Sequence, residues 1–232
     1  MLLFFINFCK SLKTILLKQD EVSLITKTNE SVKNLYLFDF DGTLYTPTDE
    51  LKIKAKNAQE ESLKKNLQGT YNKDTTFKEF VKNYKFPFQG LIRLGYNSRT
   101  VLDETVNEAF KDFKLEISDE LADKIKNLPG DKMILTNNLA EKVKDIIDDS
   151  KLKDIFTFVI GPNFYSRIFI SKPSSEVFIM LNDKFKNDLK YENVYLFDDE
   201  PDNVEGGKSV NWISVECKFN DLSDKISELI KK

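Results

Sequence analysis

The chain has 232 residues and a formal net charge of −3, with 41% hydrophobic and 12% aromatic residues. A chain of this length and composition can bury a full core, so we expect one folded domain that carries an elaborate insert. The charge predicts no general attraction to nucleic acid. Histidine is absent, which excludes histidine phosphatases, His-metal hydrolases and Ser-His-Asp triads.

The cysteine content indicates the redox state of the cellular compartment. The two cysteines, Cys9 and Cys217, form neither a metal-ligand pair nor a disulfide framework. We therefore expect a reducing, cytoplasmic location.

Residues 1–33 form an N-terminal extension that we predict to be helical. Its opening apolar run breaks at Asn7 and Cys9, so it is too short to span a bilayer, which takes about 20 apolar residues. No basic region precedes the run, and we do not expect a signal peptide. One helical face carries Leu2, Phe5, Cys9, Leu12 and Leu16. We favour an amphipathic helix packed on the domain or on a partner chain; a membrane contact through residues 1–18 is the alternative.

Short apolar runs and helical patterns alternate along the rest of the chain. The predicted strands are residues 35–38, 132–136, 156–161, 194–198 and 212–217. The predicted helices are residues 118–128, 139–149, 174–186 and 202–209. This alternation predicts an α/β fold with a doubly wound, Rossmann-like parallel sheet and helices on both faces.

One long segment, residues 47–115, interrupts that alternation. It separates the first strand from the second by far more than one crossover needs. It is rich in Lys, Glu, Asn and Leu, and its apolar residues have helical spacing. We predict a helical cap here, inserted into a core made of residues 34–46 and 116–232.

Polar residues follow four of the predicted strands. The first strand ends in Asp39 and Asp41, the second in Thr136 and Asn137. Lys172 follows the third, and the fourth ends in the pair Asp198 and Asp199. Ligands of an open parallel sheet bind at the carboxyl ends of its strands, so these side chains should meet at one edge.

The residue types at this edge favour a metal ion and a phosphate. Asp39 and Asp41 are two residues apart and can face one site, where two close carboxylates in apolar surroundings repel each other. A cation would relieve that repulsion, and oxygen ligands without His or Cys select Mg²⁺. Lys172 and Thr136 suit a phosphate, as a point charge and a hydrogen-bond donor.

The order of these motifs resembles the haloacid dehalogenase (HAD) superfamily. The family's DxDGT motif stands here as residues 39–43, its hydroxyl residue as Thr136, its lysine as Lys172 and its acidic pair as residues 198–199. The match runs from about residue 34 to 217, and the insert resembles the family's helical cap in position only. The stretches "DGTLY", "KPSSEVF" and "LFDDEPDNVEGGKSVNW" are most similar to the pyrimidine 5′-nucleotidase-like branch.

The resemblance implies a role for each motif. Asp39 would be the nucleophile that forms an aspartyl-phosphate, and Asp41 the general acid and base. The expected cofactor is Mg²⁺, held by Asp39, the backbone carbonyl of Asp41, and Asp199, with Asp198 close by. Phosphate oxygens would be held by Thr136, Lys172 and the backbone of Asn137. The expected substrate contacts also include Thr43 and Tyr45, and Tyr45 could pack in the core or stack on a base.

The expected substrate is a small phosphorylated metabolite, with a nucleoside 5′-monophosphate as one candidate. Dehalogenases lack a second acid at the place of Asp41, so the resemblance favours a phosphatase. The alternatives are a phosphomutase of the same family and a non-catalytic phosphate-binding or regulatory protein. The oligomeric state stays open, and so does substrate contact by Arg93, Tyr96 and Arg99.

Overall fold

The structure, a computed structural model, describes residues 11–72, 75–84 and 86–230. A six-stranded parallel sheet forms its centre, in the order β1-β4-β3-β2-β5-β6. The strands are Lys13–Leu16 (β1), Asn34–Phe38 (β2), Asp131–Leu135 (β3), Phe158–Gly161 (β4), Asn193–Asp198 (β5) and Ile213–Glu216 (β6). The predicted doubly wound α/β fold is confirmed.

Helices connect the strands and cover the sheet. They are Gln19–Val22 (α1), Asp49–Asn66 (α2), Thr76–Tyr84 (α3), Pro87–Arg93 (α4), Ser98–Leu102 (α5), Asp119–Lys126 (α6), Ala140–Asp148 (α7), Ser175–Asn182 (α8), Pro201–Ser209 (α9) and Phe219–Ile230 (α10). Two π-helical segments, Asp103–Asn107 and Asp183–Asp188, continue α5 and α8. Helix α10 was not predicted.

Strand β2 is buried on both faces because its alternating side chains enter two different cores. Leu35 and Leu37 pack in one apolar cluster, whereas Tyr36 and Phe38 pack in the other. The ring of Phe38 stacks on Phe197 of β5, with 4.9 Å between centroids. This two-sided burial fixes the central strand, and with it the position of the residues that follow its end.

Helices α2 to α5 lie in the segment where the sequence predicts a cap, and we call them the insert helices. The Oγ1 atom of Thr48 caps α2 by accepting a 3.2 Å hydrogen bond from the backbone N–H of Leu51. Helix α2 contacts α4 and the π-helical segment that follows α5. The boundaries 47–115 and the status of this segment as a separate cap domain stay predictions.

The helix predicted for the N-terminal extension is wrong at residues 13–16. These residues form β1, which pairs in parallel with β4, placing Ile15 opposite Ile160. Ile15 and Leu17 are both 3% exposed. A short apolar run fits a strand as well as a helix, and burial at the edge of the sheet favours the strand here. The extension thus contributes to the core sheet.

Much of the predicted amphipathic face, Leu2, Phe5 and Cys9, lies outside the described residues. Within the residues that the structure does describe, no helix is long and apolar enough to cross a membrane.

Candidate active site

The site lies at the carboxyl end of β2, between the ends of β3 and β5. The backbone N–H of Asp39 donates a 2.8 Å hydrogen bond to the carbonyl of Phe197, which extends the β2–β5 pairing by one residue. The chain then turns at Gly42, whose φ of +89° suits glycine. A Cβ atom at Gly42 would collide with the carboxylate of Asp199. The turn and the absence of a side chain therefore let the two strand ends approach closely.

Three carboxylates meet at this point. One oxygen from each of Asp39, Asp198 and Asp199 lies within 4.8 Å of the other two. Asp39 is 6% exposed and Asp198 is fully buried. Closely spaced carboxylate oxygens fit the preference of Mg²⁺ for hard ligands, so the residues present suit the ion that the sequence predicts.

Lys172 supplies the positive charge of the cluster. Its Nζ atom donates to Oδ1 of Asp39 at 2.8 Å and to Oδ2 of Asp198 at 2.6 Å. The Asn137 amide holds the backbone of Lys172 through two 2.9 Å hydrogen bonds, one donated and one accepted. The structure thus brings Lys172 and Asn137 to the carboxylates, although their contact with a phosphate stays a prediction.

Burial governs the ionisation of this cluster. It raises the pKa of Asp39 well above its usual range, an effect that Lys172 opposes and Asp198 strengthens. Burial alone would lower the pKa of Lys172, but the carboxylates of Asp198 and Asp39 outweigh it and raise that pKa. Burial, together with the charges of Asp198 and Glu200, raises the pKa of Asp199 to about 6. Before any metal binds, the cluster is therefore short of positive charge.

Asp41 is held by two donors outside the cluster. The hydroxyl of Tyr45 donates to its Oδ1 atom, and Nδ2 of Asn138 donates to its Oδ2 atom at 3.0 Å. Burial raises the pKa of Asp41, and these two hydrogen bonds oppose the rise. The carboxyl group is therefore oriented in place, with its affinity for a proton increased.

The ring of Tyr45 packs in the core. It contacts Phe40 and Phe113 at centroid distances of 5.0 and 4.8 Å, and the residue is 5% exposed. This burial favours the packing alternative for Tyr45, and substrate contact by the residue stays a prediction. Its hydroxyl is a hydrogen-bond donor to Asp41.

The two threonines of the motifs are fully buried. Oγ1 of Thr136 accepts a 2.9 Å hydrogen bond from the backbone N–H of Asn138. Oγ1 of Thr43 is buried and has no hydrogen-bond partner among the described residues. Substrate contact by either hydroxyl stays a prediction.

Two asparagines were missed as site residues. Asn203 donates from Nδ2 to Oδ1 of Asp198 at 2.9 Å, and the backbone N–H of Glu200 donates to the same oxygen at 3.0 Å. Asn138 is the donor to Asp41 described above. The stretch "DDEPDN" could have indicated Asn203, because this residue follows the acidic pair at the start of a helix. Nothing in the sequence distinguished Asn138 from Asn137.

A cavity of about 270 Å³ opens over these groups. Strand ends contribute Asp39, Asp41 and Asp199, whereas the insert helices and the π-helical segment after α5 contribute other lining residues, among them Ala55, Phe88 and Thr105. Its lining residues are Asp39, Asp41, Pro47, Ala55, Gln59, Phe86, Phe88, Thr105, Val106, Ala109, Asn137, Asn138, Asp199, Glu200 and Asn203. None of Arg93, Tyr96 and Arg99 is among them; the Arg93 guanidinium lies 4.5 Å from the centroid of the Phe169 ring.

Comparison with known proteins identifies the family. The family model of haloacid dehalogenase-like hydrolases matches residues 36–215. No curated protein matches the chain.

Three solved structures illustrate the similarity in fold. A haloacid dehalogenase-like family hydrolase from Xanthomonas campestris is 13% identical, with a TM-score of 0.53, covering 88% of this chain and 95% of its own. CbbY from Rhodobacter sphaeroides, in complex with xylulose-(1,5)bisphosphate, is 12% identical with a TM-score of 0.53, covering 79% and 84%. A hydrolase from Streptococcus pneumoniae is 16% identical with a TM-score of 0.47, covering 87% and 99%.

The family match and the cluster at the strand ends agree. The matched region begins inside β2 and ends inside β6, so it contains all four motifs as well as the insert helices. The chain belongs to the haloacid dehalogenase-like hydrolases.

Proposed function

We propose that the protein is a Mg²⁺-dependent phosphatase that hydrolyses a small phosphomonoester through an aspartyl-phosphate on Asp39. The observation that carries the proposal is the position of Asp41, which lines the same cavity as Asp39 and Asp199. A second acid beside the nucleophile is what protonation of a leaving alkoxide requires.

The metal-ligand set is part of this proposal. Asp39, Asp199 and the backbone carbonyl of Asp41 would hold Mg²⁺, with Asp198 close by. When bound, the ion would neutralise charge on the carboxylates and on the phosphoryl oxygens.

The chain's own residues divide the reaction into two steps. An oxygen of Asp39 attacks phosphorus, the bond from phosphorus to the leaving oxygen breaks, and Asp41 gives that oxygen its proton. Asp41 then takes a proton from a water that attacks the phosphorus of the aspartyl-phosphate, which restores Asp39. The raised pKa of Asp41 suits the first of these tasks, because the group must arrive protonated.

Lys172 and Thr136 would act on the phosphate rather than on the proton transfers. The ammonium of Lys172 already lies 2.8 Å from Asp39, where charge on a transferred phosphoryl group would develop. The backbone N–H of Asn137 and the hydroxyl of Thr136 would donate to its oxygens.

The insert helices would close the cavity over the leaving group. Their apolar residues, among them Ala55 and Phe88, face the same space as the carboxylates, so they would exclude water and limit the substrate to small esters. A nucleoside 5′-monophosphate is a more specific candidate substrate, supported only by the resemblance to the pyrimidine 5′-nucleotidase-like branch. The cytoplasmic location stays a prediction.

The test is phosphate release from an aryl phosphate by the purified protein, with Mg²⁺ varied and a chelator as the control. We expect release that rises with Mg²⁺ and stops when the chelator is in excess. No release of phosphate across the Mg²⁺ series would favour the non-catalytic phosphate-binding alternative. Phosphate release that is unchanged by excess chelator would contradict the proposed dependence on Mg²⁺.

A further inference from the structure

Outside the strand ends, the cavity is lined by apolar groups, the amide of Gln59 and the hydroxyl of Thr105. The apolar side chains are Pro47, Ala55, Phe86, Phe88, Val106 and Ala109. Gln59 of α2 lines the same cavity, and its Oε1 atom is buried without a hydrogen-bond partner among the described residues. A buried acceptor left unpaired is unfavourable, so this oxygen is free to accept a hydrogen bond from a ligand.

The other amides that line the cavity are already engaged at the strand ends. Asn137 binds the backbone of Lys172, Asn138 donates to Asp41, and Asn203 donates to Asp198. The hydroxyl of Thr105 donates to the carbonyl of Val101 at 2.6 Å. The amide oxygens of Asn137 and Asn138 also accept backbone hydrogen bonds, from Lys172 and Leu139. Among the described lining residues, Gln59 carries the buried side-chain acceptor that lacks a partner.

The charge of the lining limits what the cavity can hold. Its charged residues are Asp39, Asp41, Asp199 and Glu200, and no lysine or arginine occurs among the described lining residues. A phosphate dianion and a divalent cation would cancel each other, and Lys172 is already paired with two carboxylates. A second anionic group on the substrate would therefore lie near the carboxylates of Asp41 and Asp199, with no lysine or arginine among the described lining residues to receive it.

The volume sets a further limit. Pockets that take drug-sized ligands are about 300–1,000 Å³, whereas this cavity is about 270 Å³ and must also hold the phosphoryl group. The leaving group must therefore be small.

We propose that Gln59 is a specificity-determining residue, and that the leaving group is small, uncharged and largely apolar, with one hydrogen-bond donor that meets Oε1 of Gln59. The proposal rests on the proposed phosphatase function and names its substrate class. It separates small neutral alcohols, which fit, from bisphosphates and phosphorylated carboxylic acids, which do not. It also disfavours the nucleoside 5′-monophosphate named above, because a nucleoside is larger and more polar than this leaving group.

Three substrates with one scaffold test the proposal: benzyl phosphate, its hydroxymethyl derivative and its carboxy derivative. We expect kcat/KM to be highest for the hydroxymethyl ester, about threefold to tenfold lower for benzyl phosphate, and at least about tenfold lower again for the carboxy ester. A carboxy ester that is hydrolysed as well as the others would overturn the proposal.

Variants at residue 59 test the role of the amide. Gln59→Met should remove the advantage of the hydroxymethyl ester over benzyl phosphate, and Gln59→Lys should raise the relative efficiency for the carboxy ester by about tenfold or more. The control is Asn57→Ala, an exposed position on the same helix, which should leave the ranking unchanged. If both residue 59 variants rank the three esters by kcat/KM as the parent protein does, Gln59 does not determine specificity.

Binding separates this inference from the proposed function. Calorimetry with the Asp39→Asn protein, Mg²⁺ and the three esters should give the same order of Kd as the order of kcat/KM. If the binding order holds while the parent protein turns over none of the esters, the phosphatase function fails and the substrate class stands. If the Kd values of the three esters do not follow this order, the inference fails, even if the parent protein hydrolyses the esters.

Discussion

Asn203 donates a 2.9 Å hydrogen bond from Nδ2 to Oδ1 of Asp198, and so ties the first turn of α9 to the end of β5. Both residues are buried, Asn203 at 4% and Asp198 at 0% exposure. Asp198 also carries one of the two ion pairs of Lys172. A buried carboxylate oxygen that loses a hydrogen-bond donor is left less well satisfied, so this bond should contribute to stability as well as to geometry.

We predict that Asn203→Ala lowers the free energy of unfolding by about 1–3 kcal/mol, because Asp198 loses a buried donor. Urea denaturation measures the change. The matched control is Asn187→Ala, which removes an exposed 3.0 Å hydrogen bond to Asp183 and should change stability by less than about 0.5 kcal/mol. Equal losses in the two variants would contradict a special role for the Asp198 contact.

Asp39→Asn should lower kcat roughly a thousandfold or more, since an amide does not attack phosphorus. Single-substrate kinetics with an aryl phosphate measure the loss. Asp119→Asn serves as the control, because it changes an exposed carboxylate that pairs with Lys151 at the start of α6. Activity within about tenfold of the parent would exclude Asp39 as the nucleophile.

Gly42→Ala should raise the Mg²⁺ concentration for half-maximal activity by about tenfold. The added Cβ would collide with the Asp199 carboxylate and displace it from the cluster. Gly69→Ala is the matched control, because Gly69 also has a positive φ, +71°, but a Cβ added there would meet no atom within 4 Å. Gly69→Ala should therefore strain the backbone without changing the Mg²⁺ concentration for half-maximal activity. An increase of similar size in both variants would contradict the displacement of Asp199.

Tyr36 should make the fold less stable above pH 10. Burial and the neighbouring Tyr195, whose ring stacks on it at 4.7 Å, raise the pKa of Tyr36 from 10.0 to about 12. Below pH 10 the phenol is neutral in both states and has no effect. Between about pH 10 and 12 the unfolded chain releases a proton that the folded chain keeps, so stability falls by up to about 1.4 kcal/mol per pH unit.

Tyr36→Phe removes that contribution. Urea midpoints of the variant should therefore fall less steeply than those of the parent between about pH 10 and 12. Parallel curves for the two proteins would show that Tyr36 does not titrate on unfolding.

The positions of the motifs could be predicted from the sequence because they depend on strand order and strand ends. Asp39, Lys172 and Asp198 meet as expected, since parallel strands bring their carboxyl ends to one edge. The contact of Asn138 with Asp41 joins residues 97 positions apart, and no local pattern encodes such a pair. The direction of the Tyr45 ring depends on its contacts with Phe40 and Phe113. The lack of a partner for the Gln59 oxygen depends on how the whole insert packs.

The N-terminal strand was mispredicted for a different reason. "KTILL" has too few residues to distinguish a helical from an extended period, and its partner Phe158–Gly161 lies far along the chain. Only the pairing with β4 decides between the two structures.

That pairing has a consequence for how the protein behaves among other copies of itself. Without β1, the sheet would end at β4, whose four residues are all apolar or glycine and all buried. With β1 in place, the last strand begins with an exposed lysine, Lys13, and only Ile15 is fully covered. A short edge strand with an exposed lysine pairs with a neighbouring chain less readily than a fully apolar strand does. In the part of the chain that the structure describes, β1 is the edge strand on the side away from β5 and β6, and we expect it to reduce pairing of this edge with a neighbouring chain.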